Sequence, residues 1–154
     1  MMKFSKVFGA LVLLVICISM ISFNQTCKAS PLPGYLEKYI GKVQYLNDDE
    51  NYVMIDRHMG TEWYMDISSI DVTSYNPPDY CIKANILTVD AESGEVQKTI
   101  THVWGYNYDY RDMFVGRNDR WHKIKKYDDL AHNRVVLPGG ELAWWTCYQI
   151  PFYW

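Results

Sequence analysis

Between Asp79 and Tyr110, polar and apolar positions alternate with a period of two. In the second half of this stretch Val96, Lys98, Ile100, His102, Trp104, Tyr106, Tyr108 and Tyr110 share one side of an extended chain. The residues between them, from Glu95 to Asp109, take the other. A period of two sustained this long, rich in β-branched and aromatic residues, predicts strand. Ala91-Glu-Ser-Gly94 separates the two halves, and Gly94 supplies the positive φ that a short hairpin loop needs. The stretch therefore predicts a hairpin of two long strands, 79–90 and 95–110.

The same reading places shorter strands before it. Lys42–Leu46 and Tyr52–Asp56 flank the polar turn Asn47–Asn51, and Arg57–Thr61 turns the chain into a third strand, Glu62–Asp66. That strand is expected to stop at Ile67–Ile70, with the Asp66 carboxylate accepting from the backbone N–H groups that follow. Tyr35–Ile40 before Gly41 suits one helical turn or equally the run into a strand. After Tyr110, Gly116–Asp119 predicts a turn and Trp121–Ile124 a strand. Tyr127, Leu130 and Ala131 have the spacing of a short helix. Pro138-Gly-Gly140 predicts a turn, and Glu141–Ile150 a last, central strand with two apolar faces. The whole reads as mainly β: a small antiparallel sandwich or open barrel with at most one or two short helices.

The N-terminus has a different pattern. Lys3 and Lys6 precede an almost wholly apolar run, Val7–Phe23, and Cys27-Lys-Ala29 puts small residues at signal-peptidase positions. Residues 1–29 read as a secretory signal peptide and 30–154 as one domain, secreted or extracytoplasmic in the cell envelope. An uncleaved anchor is the alternative, and would be the only link to a membrane. The leader holds three lysines and no acid, so the domain is more acidic than the formal net charge of −3 of the whole chain. Such a balance argues against nucleic acid as a partner. The one basic run, Arg120–Lys126, is followed by Asp128 and Asp129. Cys81 and Cys147 remain after cleavage. In an oxidising compartment they are expected to form a disulfide from the first arm of the hairpin to the last strand.

No catalytic motif stands out: there is no nucleophile elbow, zinc-protease helix, phosphate loop or Cys-x-x-Cys. Asp56 and His58 point the same way on a strand but lack a third ligand, so no metal and no cofactor is expected. His102 lies on the aromatic side of its strand without a nucleophile placed beside it. The unusual feature is thirteen Tyr and six Trp. Most belong to a core of large side chains. Tyr106, Tyr108 and Tyr110, with the Pro151–Trp154 tail, are expected on the surface. Together with Trp104 and His102 they form the candidate binding set, for protein or glycan at the cell surface.

Trp63-Tyr-Met-Asp-Ile-Ser-Ser-Ile70 resembles the aromatic strand and Ser-Ile turn of small exported bacterial proteins related to the surface-adhesin protein E family. The following hairpin, Tyr80–Trp104, is similar as well. The resemblance implies a β-rich extracytoplasmic domain and, for some members, binding of host proteins. It supplies no site residues. The sequence thus points to a binding or interaction domain more than to an enzyme. The alternative is a small exported hydrolase or carbohydrate-binding module built around His102.

Overall fold

A computed structural model of the chain describes residues 34, 37–126 and 133–153. The predicted leader, the helical spacing at Tyr127–Ala131 and residue His132 lie outside these. Among the described residues seven strands follow in chain order: β1 (Tyr45–Leu46), β2 (Asp49–His58), β3 (Thr61–Asn76), β4 (Asp79–Asp90), β5 (Val96–Asn107), β6 (Asp112–Arg117) and β7 (Arg120–Ile124). They form one open sheet in the order β1-β2-β3-β4-β5-β6-β7, and every neighbouring pair is antiparallel. The expected mainly β, antiparallel architecture is the observed one. A short α1 (Glu37–Ile40) precedes the sheet and a 16-residue α2 (Asn133–Tyr148) follows it.

Local chemistry explains the turns. Positive φ at Asn47 and Asp48, at Met59 and Gly60, and at Asn118 and Asp119 gives three two-residue loops of the kind that matches strand twist. The β4–β5 loop is longer. Gly94 has φ +71°, and Asp90 Oδ1 accepts from the Ser93 N–H at 2.8 Å and the Glu92 N–H at 3.1 Å. These bonds hold the Asp90 carboxyl below its usual range. Gly41, at φ +69°, caps α1, its N–H donating to Glu37 O at 2.8 Å.

Strand β3 runs on through the expected stop. Asp66 does accept from the Ser68 N–H, at 3.0 Å. This turn is absorbed as a bulge between Asp66 and Asp71, and Ser69 Oγ stands in for the missing ladder acceptor by receiving the Asn85 N–H at 2.8 Å.

The second layer is α2, which covers one face of the sheet. The predicted turn at Pro138–Gly140 and the predicted strand Glu141–Ile150 are both corrected: Asn133–Tyr148 is helical throughout. The helix lies against β2, β3, β4 and β7. Val53, Ile55, Met65, Ile82, Trp104, Met113 and Ile124 of the sheet pack with Val136, Leu142, Ala143 and Trp144 in one core. Gly139 and Gly140 permit this approach. A Cβ on Gly140 would strike Met113 Sδ and come within 2.9 Å of Trp104 Cδ1. Two bonds fasten the layers: Trp104 Nε1 donates to Val136 O at 2.9 Å, and the Tyr106 hydroxyl to Gly140 O at 2.8 Å. The opposite face carries a smaller cluster, Met54, Tyr64, Leu87 and Val89. There Tyr64 donates to Glu62 Oε2 at 2.7 Å, and Arg57 pairs with Glu62 Oε1 at 3.1 Å.

The expected Cys81–Cys147 disulfide is not formed. Strand alternation gives the reason. Tyr80 and Ile82 pack on the helix side, so Cys81, opposite Gly105 in an unshifted stretch of register, points away from α2. Cys147 belongs to α2 and packs against the core. The sheet separates the two sulfurs.

Candidate functional site

The predicted binding residues separate into three environments. Trp104 and Tyr106 are core, at 0% and 2% exposure. The expected surface position of Tyr106 is therefore corrected: alternation continues to the end of β5, and that side of the strand is covered by α2. Tyr108 is half-buried, its ring stacked on Trp144 at 5.5 Å with the Arg111 guanidinium 3.8 Å over its centre. Tyr110, in the β5–β6 turn, is 79% exposed. The Tyr-x-Tyr-x-Tyr row thus leaves the strand after Asn107 and yields one exposed ring.

His102 is half-buried and stacks on Trp104 at 5.6 Å. Burial, then the Arg117 charge, lowers its pKa below the ordinary value, so the neutral ring is favoured. Among the described residues no carboxylate or hydroxyl is hydrogen-bonded to it. His58 and Asp56 do not converge with a third ligand, and among the described residues no group of three His, Cys, Asp or Glu is placed to hold a metal.

The expected surface position of the tail is corrected at Phe152, which is fully buried among Tyr106, Trp144 and Tyr153. Its carbonyl accepts from Arg111 Nη1 at 2.7 Å, and the Tyr153 carbonyl from Lys126 Nζ at 2.9 Å. These contacts strap residues 149–153 over one end of the core. Beneath them lies Glu141, at 0% exposure, its carboxylate facing the backbone N–H groups of Phe152 and Tyr153. Burial pushes its pKa up to about 7, against the opposing influence of the Phe152 and Tyr153 N–H groups, Lys126 and Arg111. This is a buried acid sealed from solvent, an arrangement that alternation in a strand-like reading did not reveal.

The open surface lies on the other side of the sheet. Trp121, on the edge strand β7, pairs with Gly116 and leans across β6 to Gly105. Three atoms of its six-membered ring stand 3.2–3.5 Å from the position a Cβ on Gly105 would take. Glycine inside a strand marks such a close approach. The indole covers two glycines on adjacent strands and remains 56% exposed. A depression opens on each side of it. One, of about 320 Å³, has Phe114, Asn107 and Asp79 in its wall; Asn107 Nδ2 donates to Asp79 Oδ1 at 2.6 Å. The other, of about 460 Å³, is bounded by Val103 and the β6–β7 turn, Arg117–Arg120. Sequence reading placed Trp121 in a strand but gave it no role. The signal was present: Gly105 and Gly116 interrupt two strands that otherwise carry large side chains.

Comparison with known proteins finds no matching family model, no similar curated protein and no similar solved structure.

Proposed function

We propose that the chain is a binding domain that works outside the cytoplasm, secreted or held at the cell envelope, and presents the uncovered face of its sheet to a ligand. The export part of the reading rests on the sequence of residues 1–29. An adhesin-like role, as the resemblance of residues 63–70 suggests, is compatible with it. The observation that carries the binding part is Trp121. An indole that spans two strand glycines and stays more than half exposed, between two open depressions, has the character of an interface anchor. Catalysis at His102 draws less support, because its ring is stacked against Trp104 and has no acid or nucleophile bonded to it among the described residues.

The test is retention of ligand by immobilised protein from envelope extract and from glycan pools, comparing the native protein with Trp121→Ala. The expected result is a component retained by the native protein and lost by the variant, with the circular dichroism of the two identical. Equal retention by both would remove Trp121 and this face from the reading.

A further inference from the structure

We infer that the Trp121 face takes a neutral sugar ring, one pyranose of an oligosaccharide, with the indole as its stacking platform. This rests on the binding-domain reading and specifies its ligand class. Three features favour that chemistry. The first is shape: one broad aromatic plane on a floor of Gly105 and Gly116 suits a flat ring with apolar C–H faces. The second is the polar rim. Asp79 and Asn107 stand on one side, and Arg117, Asn118, Asp119 and Arg120 on the other. Carboxylates accept, guanidiniums donate and amides do both, which is the mixed capacity that ring hydroxyls require. The third is charge. The two acids and two arginines of the rim balance. Two further pairs on this face are internally neutralised, Lys83 with Asp71 at 3.0 Å and Lys123 with Asp112 at 2.6 Å. An anionic or cationic ligand would find no complementary field, whereas a neutral one loses nothing by its lack of charge. An extended peptide would instead seek the unpaired backbone edge of β7, along which an indole turned onto the sheet face gives no help.

The experiment titrates the protein with cellohexaose, chitohexaose and mannohexaose, and in parallel with polygalacturonate oligomers and a proline-rich peptide, reading tryptophan fluorescence and calorimetry. The expected result is saturable binding of at least one neutral hexasaccharide, weakened about tenfold or more by Trp121→Ala and largely restored in Trp121→Tyr, with unchanged melting temperatures. Binding of a neutral sugar that is indifferent to Trp121→Ala overturns the site. Trp121-dependent binding of the anionic oligomer or the peptide alone overturns the sugar assignment and leaves the binding domain standing. If no sugar binds while an envelope protein is retained through Trp121, the sugar assignment again falls alone. If nothing depends on Trp121 in any arm, both readings fall.

Discussion

The Trp104 indole N–H donates to the carbonyl of Val136 across 2.9 Å, joining β5 to the first turn of α2. Two residues further along β5, the Tyr106 hydroxyl repeats the contact one turn further along the helix, at Gly140 O. Both groups are buried, so each bond satisfies a donor that would otherwise be orphaned. Tyr106→Phe removes one bond and keeps the ring. It is expected to cost about 1 kcal/mol, lowering the melting temperature by roughly 3–5 °C for a domain of this size. Thermal unfolding followed by circular dichroism checks this.

Gly140→Ala tests the close packing of the layers. The new methyl would meet Met113 Sδ and the Trp104 ring, and α2 would have to move off the sheet. Overpacking of this kind costs about 1–3 kcal/mol, visible as a lower urea midpoint. Gly34→Ala, where a Cβ meets nothing within 4 Å, is the neutral control.

Glu141 gives the fold a pH dependence. Its folded pKa, about 7, lies above the ordinary 4.5, so the folded state holds the proton more tightly than the unfolded state. The associated stability is fully present below about pH 4.5, falls as pH rises, and is lost above about pH 7. The span corresponds to at most about 3 kcal/mol. His102 acts in the opposite sense. Its lowered pKa contributes stability above its ordinary value of 6.5 that is lost as pH falls through the folded value. Urea unfolding of Glu141→Gln from pH 5 to pH 8 is expected to lack the decline that the native protein shows.

Tyr110 and Tyr106 lie four residues apart and should respond in opposite ways. Tyr110→Ser, at a site 79% exposed, is expected to change stability by no more than about 0.5 kcal/mol. Tyr106→Ser empties a buried ring site and is expected to cost about 3–5 kcal/mol. Equal effects in chemical denaturation would contradict this division.

Cys81 and Cys147 are each expected to react with a thiol reagent in the denatured protein, and a reductant should leave the melting temperature unchanged. The sheet between them makes a shift on reduction the contrary result.

Most strands were legible because alternation, β-branched residues and Asn, Asp or Gly turn pairs agreed there. β6 and the second half of β3 were not, since the pattern weakens after Tyr110 and Asp66 imitates a stop. Nor was the helix. Leu142, Trp144, Thr146 and Tyr148 alternate as a strand would, and Pro138-Gly-Gly140 imitates a turn. A buried helix and a central strand both have apolar residues all round, and period alone does not separate them. The discriminating spacing was Val136, Gly140, Ala143 and Cys147, three or four apart. Its glycine does not look apolar, yet it is the residue that touches the sheet. The disulfide failed for a related reason: with α2 read as a strand, nothing assigned Cys81 and Cys147 to different layers. On the candidate face, composition drew attention to Tyr-rich β5 and away from Trp121. Exposure there is decided by which side α2 covers, and a strand pattern does not contain that information.

Each strand of the sheet sits beside its immediate predecessor in the chain, and the helix comes after all of them. Hairpins can therefore zip together one at a time as the polypeptide emerges, with only short loops to close. The cost is a greasy inner surface left uncovered until α2 arrives. A chain interrupted before residue 133 would leave that surface without the helix that covers it.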